Sequence, residues 1–231
     1  MVPIAALKPL TDCEQHVYNR AIDSARDVIQ TCFGRFPIEA IGISFNGGKD
    51  SVVMMELLIA HVGADKVAKC HIFMFGEDDE FDDIRSFRES YLAHRLPAAV
   101  LHTLPQQYGI KGGLEVLRNE HNLEAVFIGT RKDDPSAKYQ KTSMEPTTAG
   151  WPQMMRYCPV FNFCYHEVWM YIATHQVPVC KLYACGYTSL GRIALTVPNQ
   201  ALLISDGASS STTTFFFSCT HVDTRRLGEL R

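Results

Sequence analysis

Apolar positions along the chain alternate between two rhythms. Val17, Ala21, Ile22, Ala25, Val28, Ile29, Cys32 and Phe33 recur every three or four residues, the stripe of an amphipathic helix. Thr11-Asp12-Cys13-Glu14 ahead of them has the form of a capping box, and Gly34 behind them predicts the stop. Residues 1–10 carry no pattern and read as a loose leader. From Ile38 to Phe45 the chain is apolar and rich in Ile, which predicts a buried strand. Helical spacing returns in Val52, Val53, Met54, Met55, Leu57, Leu58 and Ile59, closed by Gly63. A second strand is predicted over Ala68–Phe75, then a helix carrying Phe81, Ile84, Phe87, Tyr91 and Leu92 on one face. Residues 98–103 read as a third strand, 113–121 as a short helix and 124–129 as a fourth strand. The chain up to Gly150 is polar and reads as irregular; a helix with Val168, Trp169, Tyr171 and Ile172 follows, its rings expected in the core.

Strands alternating with helices predict an α/β fold: an open, mostly parallel sheet with helices on both faces and right-handed crossovers. In such sheets a ligand sits beyond the carboxyl ends of the strands, where the strand order reverses. The loops after Phe45, Phe75 and Gly129 are therefore the expected walls of one site.

Composition narrows this picture only at its edges. A chain of 231 residues supports one sizeable core and a small appendage. A net charge of −3 offers no general attraction for polyanions, so nucleic acid is not an expected partner. Eight cysteines form no C-x-x-C pair, and no His-rich metal spacing occurs. Cys32, Cys70 and Cys164 read as buried reduced thiols, and Cys219 as the one open to oxidation. With no signal peptide and no apolar run of about 18 residues, the expectation is a cytoplasmic monomer that does not engage membrane.

The chemistry concentrates after the first strand, in Ser44-Phe45-Asn46-Gly47-Gly48-Lys49-Asp50-Ser51. A strand, a glycine turn and a helix start converge backbone N–H groups and the positive end of a helix on one spot, an anion site. Asp50 or Ser51 is the expected helix cap, and Ser44, Ser51 and Lys49 add side-chain donors. The spacing is not that of a Walker loop, which has four residues between its first glycine and Gly-Lys. A second charged group, Gly129-Thr130-Arg131-Lys132-Asp133-Asp134-Pro135, follows the fourth strand and would face the first across the cleft; Arg131 offers forked recognition of phosphate. The acids from Glu77 to Glu80 read first as helix-dipole partners and only second as magnesium ligands.

The octet Ser-Phe-Asn-Gly-Gly-Lys-Asp-Ser resembles the pyrophosphate loop of the ATP pyrophosphatase superfamily. Later segments narrow the resemblance: Gly-Thr-Arg-x-x-Asp-Pro from Gly129, Gly-Trp-Pro-x-x-Met-Arg from Gly150, the Val168-Trp169 helix, Gly186-Tyr187-Thr188-Ser189-Leu190-Gly191 and Thr196-Val197-Pro198-Asn199. Together, from about Ile38 to Leu202, they resemble eukaryotic-type FAD synthetase, an FMN adenylyltransferase of the PAPS reductase-like group. The resemblance implies an adenine nucleotide alpha hydrolase-like, Rossmann-like sheet with a small C-terminal flavin-side subregion. It implies adenylyl transfer from ATP to FMN, giving FAD and pyrophosphate, with Mg²⁺. Ser44, Phe45, Asn46, Gly47, Gly48, Lys49, Asp50 and Ser51 would hold ATP. Gly129, Thr130, Arg131, Asp134, Trp151, Arg156, Tyr187 and Arg226 would line the flavin side. Lys49, Asp50, Arg131 and Asp134 would be catalytic, with Asp50 a magnesium ligand. The domain is expected over 1–202 and an atypical tail over 203–231.

Two stretches depart from that family. The usual Arg-x-x-Arg close is replaced by a Ser/Thr-rich run, Phe215-Phe216-Phe217, and then Arg225, Arg226 and Arg231; and Ile193-Ala194-Leu195 stands where the family is polar. The alternatives are a catalytically weakened flavin- or nucleotide-binding relative and, behind it, a sulfonucleotide reductase, for which Cys219 in Ser-Cys-Thr-His does not match the required cysteine motif.

Overall fold

The computed structural model describes residues 11–200. The leader and the proposed tail, with Cys219, Arg225 and Arg226, lie outside the described residues. Helix α1 (Asp12–Arg35) opens on the capping box: the Thr11 hydroxyl accepts the Glu14 N–H, and the Glu14 carboxylate accepts the Thr11 N–H at 2.9 Å. The helix does not stop at Gly34 but runs to Arg35. Its end is set by Pro37, which excludes helical angles for the preceding Phe36.

A 3-10 turn at Ile38–Ala40 takes the front of the first apolar run, leaving β1 as Ile41–Ser44. Helix α2 (Lys49–Val62) and the short α3 (Ala64–Val67) lead to β2 (His71–Phe75), α4 (Asp82–Arg95) and β3 (Leu101–Leu104). Then come α5 (Gly109–Asn119), β4 (Ala125–Phe127), β5 (Met144–Pro146), β6 (Met155–Tyr157) and α6 (Tyr165–Thr174). The polar stretch before Gly150 is thus not wholly irregular: it supplies an edge strand. Three residues with a proline leave no periodicity to read, and a sheet edge is where proline is tolerated.

The sheet order is β3-β2-β1-β4-β6-β5, parallel throughout except for the antiparallel β5–β6 pair. Side-chain alternation distributes each strand between two cores. Ile72, Ala125 and Phe127 join the larger cluster with residues of α1, α2, α4 and α6, whereas Phe73 and Val126 face Leu114 and Leu117 of α5. Helices on both faces follow. Helix α2 is buried along nearly its whole length, from Ser51 to Leu58, which is why its sequence is apolar on all sides. The chain steps from β1 outward to β2 and β3, then returns to place β4 on the other side of β1. The crevice of this reversal opens beyond Ser44 and Phe127. Among the described residues no helix is long and apolar enough to cross a membrane.

Candidate active site

Beyond β1 the chain must turn at once into α2, and residues 46–48 do this with few atoms. Gly47 takes φ +80°, and a Cβ there would lie 3.2 Å from Arg88 Cβ, so both conformation and space select glycine. The Asn46 side-chain carbonyl accepts the Gly48 N–H at 3.0 Å and the Ser51 hydroxyl at 2.8 Å. This local bond places the helix start at Lys49, with Gly48 as cap, rather than at Asp50 or Ser51. Asp50 falls in the first turn instead, where its charge meets the positive end of the helix. From α4, buried Arg88 donates to the Asn46 carbonyl at 3.0 Å while its fork grips Glu80 at 2.7 and 2.9 Å. From the other side Tyr183 accepts the Lys49 N–H at 2.8 Å.

Four charges then alternate across the cleft. Lys49 Nζ lies 2.9 Å from Asp50 Oδ2; Asp50 Oδ1 lies 3.0 Å from Arg131 Nε, off the hydrogen-bond direction; Arg131 Nη2 lies 2.9 Å from Asp134 Oδ1. Asp134 Oδ2 also accepts the Arg131 N–H at 2.7 Å. Lys49 is 4% exposed and Arg131 8%, so each cation depends on its acids for compensation in a poorly hydrated setting. The Lys49 ammonium also lies over the Tyr165 ring, 5.3 Å from its centre. Of the two cations, Lys49 reaches the cavity and Arg131 does not.

Lys49, Asp50 and Asp134 border a cavity of about 220 Å³. Of the residues singled out in the sequence, Ser44, Asn46, Gly48, Lys49, Asp50, Ser51, Gly129, Thr130 and Asp134 line it. Gly129 brings β4 so close that a Cβ there would lie 3.1 Å from the Ser51 nitrogen and 3.2 Å from the Asp50 carbonyl carbon. Arg131 stands behind the two acids. The Phe45 ring is in the core, stacked on Tyr91 with centroids 5.2 Å apart, and Gly47 faces α4. Trp151, Arg156 and Tyr187 are not in the cavity lining: Trp151 is exposed, Arg156 pairs with Glu145 across β5–β6, and Tyr187 packs edge-on against Phe81. Arg226 lies outside the described residues.

The cavity also has two members that the sequence reading missed, Ile128 and Tyr183, and two from the candidate loop Gly186–Gly191, Ser189 and Leu190. Nothing local in the sequence points to Tyr183. Burial pushes its hydroxyl pKa well above the ordinary range, so the group is a neutral phenol that can donate. The loop after Phe75 is not a wall of the cavity. Glu77 pairs with Arg192 at 2.9 Å, and Asp79 accepts the N–H groups of Ile193 and Ala194 at 3.1 and 3.0 Å. Glu77 and Asp79 thus hold the segment after Gly191, while Glu80 is held by Arg88. Among the described residues no group of three or more His, Cys, Asp or Glu is disposed to hold a metal. Cys32, Cys70 and Cys158 are buried free thiols; burial raises Cys70 to about 12 and Cys158 to about 11. Cys164, expected buried as well, is only partly so.

Residues 110–198 match the phosphoadenosine phosphosulfate reductase domain family. A probable FAD synthase of Caenorhabditis briggsae is 34% identical over 87% of this chain, which spans 38% of that relative's length. A probable FAD synthase of Schizosaccharomyces pombe is 30% identical over 79% of this chain and 70% of its own length. The crystal structure of Candida glabrata FMN adenylyltransferase in complex with FAD and inorganic pyrophosphate superposes with a TM-score of 0.74 at 25% identity, over 90% of this chain and 74% of that one. The sheet order, the loop–helix anion site and these likenesses converge: the chain belongs to the FAD synthase family.

Proposed function

We propose that this chain transfers the adenylyl group of ATP to FMN, releasing pyrophosphate and forming FAD. The observation that carries the reading is the charge chain Lys49–Asp50–Arg131–Asp134, which joins the 44–51 loop to the opposite wall of the cavity, where Gly129, Thr130 and Asp134 stand. The Candida glabrata structure holds FAD and pyrophosphate, the two products of this reaction, on the same fold.

The FMN phosphate is itself the nucleophile. One of its oxygens attacks the α-phosphorus of ATP in line; the bond from that phosphorus to the bridging oxygen breaks, and its electron pair leaves with pyrophosphate. Neither a Ser-His-Asp device nor a covalent intermediate is required, so catalysis consists of positioning and charge stabilisation. Lys49 and the loop meet the departing pyrophosphate, while Arg131, from behind, holds Asp50 and Asp134 in place and adds positive potential at the transferring phosphorus. Gly129 and Thr130 form the floor between them.

Among the described residues no protein-built site matches the magnesium implied by the resemblance. Both Asp50 oxygens face cations, Lys49 and Arg131, so Asp50 is a counter-ion here rather than a metal ligand, and no step is assigned to a metal. Free thiols, several of them buried, suit a reducing compartment. Incubation with ATP, FMN and Mg²⁺, following FAD by chromatography alongside pyrophosphate, tests the reading. Equal amounts of the two products are expected. Lys49→Ala should lower turnover by about 10²–10³-fold, the usual loss for one preorganised donor to developing charge. Near-normal turnover in that variant would overturn the assignment.

A further inference from the structure

The amides that usually make a loop–helix junction attractive to phosphate are, in this chain, partly occupied by the protein itself. The Gly48 N–H is bonded to Asn46 and the Lys49 N–H to the Tyr183 hydroxyl oxygen. Tyr183 comes from the 3-10 turn Lys181–Cys185, is 1% exposed, and has its ring held edge-on by Trp169 at 5.3 Å. Its hydroxyl nevertheless borders the cavity, and among the described residues its own proton has no acceptor. With its acceptor side taken by an amide, a hydroxyl at the cavity border is left to donate to whatever binds there.

We propose that Tyr183 is a phosphate-binding residue: its hydroxyl accepts the Lys49 N–H and passes the donation on to an oxygen of the pyrophosphate end of the nucleotide. The helix-end amide thereby acts through a phenol, and polarisation along the chain strengthens the final bond. Its place at the first residue of α2, beside Lys49 and Ser51, assigns it to the leaving group rather than to the FMN phosphate. The inference rests on the adenylyl-transfer reading above.

The test compares pyrophosphate and FMN binding by calorimetry in the full chain and in Tyr183→Phe, with thermal unfolding measured in parallel. Expected is a loss of about tenfold in pyrophosphate affinity, the scale of one hydrogen bond to a charged group. FMN affinity should be unchanged, and the unfolding midpoint should fall modestly because the variant leaves the Lys49 N–H without its acceptor. Replacing Tyr183 by 3-fluorotyrosine, a stronger donor of nearly the same shape, should tighten pyrophosphate binding. Unchanged pyrophosphate affinity in both variants overturns the proposal. So does a loss confined to FMN, which would place the hydroxyl on the other phosphate, and so does a parallel fall in both affinities and the midpoint, which would make Tyr183 a structural cap alone. If the parent chain binds pyrophosphate but forms no FAD, the adenylyl-transfer reading fails while the Tyr183 contact stands or falls on its own data.

Discussion

The two sides of the cleft are built in different ways. The wall from Ser44 to Ser51 is contiguous: a strand, a turn with one left-handed glycine and a helix start, closed by the bonds of Asn46. Clamps from Arg88 and Tyr183 then hold it from both sides. The opposite side gathers Arg131 and Asp134 close to the first wall, but the flavin-side candidates Trp151, Arg156 and Tyr187 stand outside the cavity lining. Phosphate recognition needs donors fixed to within tenths of an ångström around a small tetrahedral group, which one short, rigid segment can supply. A broad planar ring is met by side chains drawn from several segments, each individually weaker.

The sharpest way to break this contrast is to push the walls apart. Gly129→Val puts methyl groups against the backbone of Asp50 and Ser51, already 3.1–3.2 Å from a hypothetical Cβ. Backbone cannot yield as a side chain can. The expected outcome is a loss of FAD formation of at least about 100-fold, since misplacement of catalytic groups by an ångström is worth that much. Destabilisation of about 1–3 kcal/mol should accompany it, as overpacking generally brings, measured by urea unfolding. Retained activity would show that the walls do not need their present spacing.

The same contrast explains what was legible in the sequence. Apolar runs revealed β1, β2 and β4, because buried parallel strands have no polar face to interrupt them. The strands β5 and β6 were invisible: Met-Glu-Pro and Met-Arg-Tyr are too short and too polar to carry a period. The 44–51 loop was legible because its geometry is written within eight residues. Tyr183 and Arg88 were not, since they reach it from 134 and 42 residues away and no local pattern marks the meeting. The loop after Phe75 was misjudged because its acids look available in sequence, whereas in the fold Glu77 and Asp79 bind the segment around Arg192 and Ile193 and Glu80 pairs with Arg88. The helix start moved from Asp50 or Ser51 to Gly48 because the Asn46 side chain satisfied the amide that a cap would have taken.

A milder perturbation separates the cleft from the sheet that carries it. His71 begins β2 at the end of the sheet away from the cleft, its ring 4.1 Å from that of His102 and 4.2 Å from that of His121. Burial, then the neighbouring His102 and His121, lowers its pKa to about 4 from an ordinary 6.5. The unfolded chain therefore takes up this proton more readily than the folded one. The contribution is fully present above about pH 6.5 and is lost progressively as pH falls toward 4. The urea midpoint should drop between pH 7 and pH 5, and His71→Gln should flatten that drop while leaving pyrophosphate affinity at pH 7 unchanged. An equally steep drop in the variant would move the acid sensitivity elsewhere.

The smallest effect is expected at the flavin side, and it tests the contrast most directly. Trp151 is 37% exposed, in the segment between β5 and β6, and offers an indole face. Stacking of a flat ring on such a face is worth about 0.5–1.5 kcal/mol. Trp151→Ala should therefore raise KM for FMN by about two- to tenfold and leave KM for ATP and kcat nearly unchanged, as expected when an interaction equal in the ground and transition states is removed. A fall in kcat of the size expected for Lys49→Ala would mean that the indole enters the reacting geometry, and the two sides of the cleft would then be equally exacting. No change in any constant would place the isoalloxazine away from Trp151, leaving the loop of Ser189 and Leu190, which does line the cavity, as the surface against which it lies.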